Sequence, residues 1–155
     1  MKPCAQTVDR IMDVMEDAFD PTFGEAWNRR QVGDALAMPS THALIVDPEG
    51  QILEDRVGEA AGFVLARHAP GEEELLLIAV RPQHRGRGLA QALIDQLFAT
   101  ARKRGAGRIY LEMRRGNPAL HLYQKVGFEP IGTRPNYYRT ANGERIDAIT
   151  FGRSI

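Results

Sequence analysis

A chain of 155 residues can bury one well-formed hydrophobic core but hardly two, so a single domain over 1–155 with one main site is expected. Lys plus Arg and Asp plus Glu stand at 20 each, a balance that excludes a whole-molecule electrostatic hold on nucleic acid or on an anionic membrane. Cys4 is the only cysteine, which excludes an internal disulfide and a cysteine-built metal site, and His42, His68, His84 and His121 are scattered without ligand-like spacing, so no metal is expected.

The N-terminus lacks the basic-then-apolar order of a secretory signal, and the longest strongly apolar run, Leu75 to Val80, is too short to cross a bilayer. A cytoplasmic protein is expected. Along 7–19, Val8, Ile11, Met12, Met15 and Phe19 recur at helical spacing, and Asp20-Pro21 stops the helix. The polar stretch 20–24 predicts a loop, and 25–37, with Trp27, Val32 and Leu36, predicts a second helix ending before Pro39.

The segments 42–46 and 57–67, separated by the turn-prone Asp47-Pro48-Glu49-Gly50, read as an antiparallel pair of strands. The run 74–80 is almost continuously aliphatic, which predicts a mid-sheet strand buried on both faces. A basic loop over 82–87 then leads into a helix whose apolar face is Leu89, Ala92, Leu93, Leu97 and Ala101. A strand over 108–113, a short helix over 118–125 and a last pair of strands from Gly127-Phe128 onward complete the chain. The order predicts an α+β fold, a mixed, mostly antiparallel sheet flanked by helices, with one helical crossover between parallel neighbours.

Arg85-Gly86-Arg87-Gly88-Leu89-Ala90 falls where the buried strand gives way to a helix. Unpaired N–H groups and the positive helix end converge at such a place and attract anions. Gly86 and Gly88 allow close backbone approach, and Arg85 and Arg87 add charge at the rim. The loop has neither the Lys-Ser/Thr of a P-loop nor the three-glycine dinucleotide fingerprint.

The stretch from Ala79 to Ala90 resembles the R/Q-x-x-G-x-G/A acyl-CoA signature of the GNAT acetyltransferase superfamily, with Arg85, Gly88 and Ala90 at the defining positions. Asn117 and Leu122-Tyr123-Gln124-Lys125-Val126-Gly127-Phe128 are similar to that family's N…LYxKxGF motif. The resemblance implies acetyl-CoA as co-substrate, its pyrophosphate on the main-chain amides of the loop, and its pantetheine arm along a strand edge offered by Ile78 and Val80, with a further contact from Asn117.

Leu111-Glu112-Met113-Arg114, the Tyr123 motif, Arg134-Pro135-Asn136-Tyr137-Tyr138 and Asp147-Ala148-Ile149 are together similar to the bacterial ribosomal-protein-alanine N-acetyltransferases. That likeness implies Glu112 as general base, Tyr123 as general acid, Tyr137 and Tyr138 at the acceptor's entrance, and a protein N-terminus, such as that of a ribosomal protein, as partner. Tyr123 suits its role because a phenol (pKa about 10) exceeds a thiol (about 8.5) in pKa only modestly and can hand a proton to a departing thiolate held in place. Phe23 and Trp27 are candidates for the opposite wall, His84 is a loop histidine within reach of a phosphate, and His121 points away from the face of Tyr123.

Two further readings stand beside this one. A small amine, such as a polyamine, an amino acid or an aminoglycoside, can replace the peptide as acceptor, an acidic cleft being the mark of a cationic acceptor. The interval from Glu112 to Tyr123 is one residue shorter than the family's usual spacing, which keeps open a module that holds acyl-CoA without turnover. Composition permits a monomer or a weak homodimer.

Overall fold

The computed structural model describes residues 5–19, 26–53 and 58–155. The loop expected over 20–24, with Phe23, and the start of the strand expected at Val57 lie outside the described residues. In chain order the elements are α1 (Ala5–Ala18), α2 (Arg29–Ala37), β1 (Thr41–Val46), β2 (Gly62–Ala69), β3 (Glu72–Val80), a 3-10 turn (Pro82–His84), α3 (Leu89–Lys103), β4 (Arg108–Arg114), α4 (Leu120–Lys125), β5 (Glu129–Arg139) and β6 (Arg145–Ser154). The strands form one six-stranded sheet in the order β1-β2-β3-β4-β6-β5. Only β3 and β4 run parallel, joined through α3, and the α+β architecture is the one expected.

Alternation along the strands divides the apolar side chains between two layers. Ile45, Phe63 and Leu65 pack with α1 and α2, while their neighbours Val46, Val64 and Ala66 pack with α3 on the other face. On α3, Leu89, Leu93, Leu97 and Ala101 are buried at helical spacing, as the sequence predicts.

Several boundaries move for identifiable reasons. The second helix starts at Arg29, not 25, because Asn28 and Gln31 form a reciprocal capping box, each side chain accepting the other's backbone N–H at 2.8 Å. Pairing of β2 begins at Gly62, where a Cβ would stand 2.9 Å from the Ala79 carbonyl oxygen, so the close approach of β2 to the end of β3 requires glycine. The short helix starts at Leu120, not Pro118, because Asn117 Oδ1 accepts the Ala119 N–H at 2.9 Å and holds a turn first. Among the described residues no helix is long and apolar enough to cross a membrane, and no group of three or more His, Cys, Asp or Glu side chains is arranged to hold a metal ion.

Two of the scattered histidines converge. At the start of β3, Glu73 is 0% exposed, and its Oε1 accepts from His42 Nε2 and, at 3.1 Å, from Arg104 Nη1 at the end of α3. Its Oε2 lies 3.4 Å from His68 Nδ1, and neither of these buried atoms makes a hydrogen bond among the described residues. This cluster sits at the end of β3 remote from the basic loop.

Candidate active site

The site originates in a parting of two strands. Parallel pairing between β3 and β4 covers only Glu72↔Arg108 through Leu75↔Leu111. Immediately beyond, the β2–β3 register jumps from Ala66↔Leu75 to Leu65↔Leu77, leaving Leu76 as a bulged residue. Leu76 and Leu77 consequently both pack toward the α1/α2 layer, whereas a regular strand would send them to opposite faces. Past the bulge β4 stays paired with β6 and β3 with β2, so the two diverge.

A cavity of about 720 Å³ fills the gap, lined by β3 from Leu75 to Val80, by Glu112, Met113 and Arg114 of β4, and by Tyr123 of α4. Hence Leu76, Leu77 and Ile78 are half-buried, and the sequence expectation of a strand covered on both faces fails there: their aliphatic side chains border a cavity, not a closed core. Ile78 and Val80 lie on the edge that β4 leaves unpaired. The Val80 carbonyl accepts Arg85 Nε at 3.1 Å, and Arg85 Nη2 donates to Ala18 O at 3.1 Å, so Arg85 ties the end of β3 to α1.

Because Ile109, Leu111 and Met113 belong to the α3 layer, Glu112 projects from the opposite face. Tyr123 approaches from the α3 side, 6% exposed, with its ring edge-on to Phe128 at 5.9 Å. The strand gap brings both to one cavity despite the shortened interval. Glu112 Oε2 accepts from Thr150 Oγ1 at 3.4 Å and pairs with Arg134 Nε at 3.1 Å. Asn117 also borders the cavity, with its side-chain oxygen engaged in the turn to Ala119.

The basic loop turns on two left-handed glycines, Gly86 at φ 80° and Gly88 at φ 76°. A Cβ at either would meet nothing within 4 Å, so the conformation, not crowding, selects glycine. Gly88 is the N-cap of α3 and supplies no side-chain cap, which leaves the amides of the first turn directed at the loop. Ala90 borders the main cavity and buried Leu89 a smaller adjoining depression of about 180 Å³, which Gln91 and Lys125 also line. Arg87 Nη1 lies 3.3 Å from His84 Nδ1, and His84 Nε2 lies 3.2 Å from Glu59 Oε1, so that histidine links the loop to the segment before β2.

Tyr137 and Tyr138 border the cavity within β5, edge to face at 5.2 Å. Between Arg134↔Ala148 and Tyr138↔Ile146, three residues of β5 oppose Asp147 alone; this bulge is pinned where Asn136, at φ 55°, donates its N–H to Asp147 Oδ1 at 2.9 Å. Trp27 borders the opposite wall with Phe19, and His121 is exposed, away from the cavity. Arg134 was not singled out as a site residue in the sequence, although it opens the segment that holds Tyr137 and Tyr138; only the fold brings its Nε to Glu112.

The profile of the Acetyltransferase (GNAT) family matches residues 10–128. The chain is 37% identical over 135 residues to the N-alpha-acetyltransferase RimI of Mycobacterium tuberculosis (strain ATCC 25618 / H37Rv), covering 86% of this chain and 76% of that protein. It is 44% identical over 89 residues to an uncharacterized protein of Mycobacterium leprae (strain TN), covering 57% of this chain; that match spans only 24% of the relative's length. The crystal structure of the ribosomal-protein-S18-alanine N-acetyltransferase from Escherichia coli superposes with a TM-score of 0.81 at 25% identity, over 100% of this chain and 92% of that one.

Proposed function

The chain belongs to the GNAT family of acetyltransferases, and on that premise we propose that it transfers the acetyl group of acetyl-CoA to the N-terminal α-amine of a protein, a ribosomal protein beginning with alanine being the first candidate. The observation that carries this reading is the single cavity between β3 and β4, which Glu112 and Tyr123 enter from opposite faces of the sheet.

In this reading the pantetheine arm lies along the free edge of β3 at Ile78 and Val80, and the pyrophosphate meets the amides from Gly86 to Ala90, with Arg87 at the rim. Asn117 borders the arm. Glu112 takes a proton from the incoming ammonium through water and releases it to solvent, the neutral amine attacks the thioester carbonyl, and the tetrahedral intermediate gives up its second nitrogen proton through the same water as it expels the thiolate; Tyr123 protonates the thiolate and regains its proton from solvent. Tyr137 and Tyr138 flank the acceptor's entrance. Among the described residues the charged ones bordering the cavity are Arg85, Glu112 and Arg114, a set with one carboxylate and two guanidinium groups.

The test is incubation with acetyl-CoA and a panel of short peptides differing in their first residue, beside N-terminally blocked peptides, spermine and an aminoglycoside, following thiol release and acceptor mass. Modification confined to free α-amines supports the reading; transfer to lysine side chains or to the small amines alone overturns it. Two variants separate the parts. Tyr123→Phe keeps the ring against Phe128 and is expected to lower kcat about 100-fold with CoA affinity unchanged. Gly88→Ala meets no neighbouring atom, so it carries only the left-handed backbone strain of about 1 kcal/mol, and calorimetry should find weakened CoA binding in a folded protein.

A further inference from the structure

The helix α4 carries Tyr123 and is only six residues long, too short to hold its own direction. A Schellman motif closes its end. The Phe128 N–H donates to the Tyr123 carbonyl at 2.9 Å, the Gly127 N–H donates to the Gln124 carbonyl at 3.0 Å, and Gly127 takes the left-handed φ of 93° that the motif requires. With the Phe128 ring edge-on at 5.9 Å, Tyr123 is held both by its carbonyl and by its ring. Just beyond, the Val126 carbonyl accepts Arg153 Nη1 at 2.8 Å. Arg153 belongs to β6, which lies inside the sheet between β4 and β5. Its register partner Ile109 is part of the α3 layer, and its guanidinium carbon lies 4.5 Å from the centroid of the Phe98 ring on α3. Phe98 in turn packs on Phe128 at 6.0 Å. A Cβ on Gly127 would stand 3.2 Å from Arg153 Nε, so this side chain fits closely against the turn that ends α4. Three residues earlier, Thr150 reaches Glu112 from the other face of the same strand.

We propose that Arg153 is a positioning residue for Tyr123: from an interior strand it fixes the end of α4, and through the Val126 carbonyl and the pair of Phe98 and Phe128 it sets where the phenol stands in the cavity. This rests on the general-acid role proposed above for Tyr123. The strand β6 then gauges both partners of the proton transfers, the base through Thr150 and the acid through Arg153. Their separation is set across the sheet and not by the length of chain from Glu112 to Tyr123, so the shortened interval is compatible with turnover. Proton delivery to a departing thiolate demands alignment, and a displacement of about 1 Å can cost about 10²-fold in rate. A guanidinium suits the task, since it offers a donor to a carbonyl and a flat charged face to a ring at once.

The experiment is a double-mutant cycle, read as the single-turnover rate of acetyl transfer to an alanine-starting peptide at saturating acetyl-CoA, in wild type, Tyr123→Phe, Arg153→Met and the double variant. Methionine keeps an apolar stem against Gly127 and Phe98 and removes the donor. Arg153→Met is expected to lower the wild-type rate about tenfold, and Arg153→Lys, which keeps a donor and the charge, about threefold. In the Tyr123→Phe background both changes should have less than about a twofold effect, because the group being positioned is gone. Urea unfolding reports any loss of stability separately, and that loss should be the same in both backgrounds. A role in stability alone lowers the rate by the same factor with phenylalanine as with tyrosine, and that additive result overturns the inference. So does an Arg153→Met variant as fast as wild type. If Arg153→Met does not fold, the Arg153→Lys arm decides by the same criterion. A Tyr123→Phe variant as fast as wild type removes the general-acid reading itself, an outcome the cycle separates from a failure of Arg153 alone. Should only small amines react, the cycle is run unchanged on spermine, and a protein that acetylates neither acceptor overturns both.

Discussion

Glu112→Gln is expected to lower kcat toward α-amine peptides by about 10²–10⁴ at neutral pH while leaving acetyl-CoA affinity within about twofold. The substitution preserves shape, and the amide oxygen can still accept from Thr150 Oγ1. The lost ion pair to Arg134 involves a side chain 63% exposed and contributes little stability, so the fold is retained. The pH dependence makes this specific to a base. An α-amine with a pKa of about 7.7–8.0 is largely neutral above about pH 9, so the defect should shrink as pH rises if Glu112 removes the ammonium proton, and should stay constant if it only orders the site. Wild-type kcat in the variant at pH 7 would assign the proton to another group.

The largest effect on stability is expected far from the cavity, at Glu73. Glu73→Ala leaves Arg104 without its buried counter-charge and His42 without its hydrogen-bond partner, and it empties the space of a side chain that was 0% exposed. Removing one partner from such a cluster costs about 3 kcal/mol, the low end of the usual range because Arg104 is 33% exposed and keeps contact with water. Urea unfolding should report this loss, and below the transition kcat should be unchanged.

The same cluster predicts acid sensitivity. Burial, the largest cause, together with the nearby Arg104 and His68 charges, holds the His42 pKa below its ordinary 6.5, against the opposing pull of Glu73. The unfolded chain therefore takes up this proton first as pH falls. The contribution is full above 6.5 and drains away below it, down through the folded-state pKa. In His42→Gln that part of the acid slope should disappear.

Much of this was legible in the sequence because the deciding signals were local. The helical spacing of Leu89, Leu93 and Leu97 and the two glycines before them needed no partner to be read, and the loop emerged at the expected strand-to-helix junction. The gap beside β3 was not legible: six aliphatic residues in a row describe a covered strand equally well, and the bulge at Leu76 depends on how β2 pairs across from it. Glu73 was hidden between Glu72 and Glu74 in what looks like a solvated acidic run, although alternation from buried Leu75 puts it on the same inward face. The pairing of Arg134 with Glu112 joins strands distant in the chain and has no local trace.

The four residue pairs that join β3 to β4, extended by the bond from the Gly107 N–H to the Gly71 carbonyl at 2.9 Å, form the hydrogen-bonded spine between two leaves of the sheet, β1-β2-β3 and β4-β6-β5. A spine bound at one end makes the molecule a book that can open slightly along its free margin, with α3 as its cover on one side and the buried charges of Glu73 as the stitching at the bound end. A ligand lying between the pages then acts as adhesive: it should raise the melting temperature with concentration and slow amide exchange at 76–80 and 112–114 more than at 72–75, where the binding already holds.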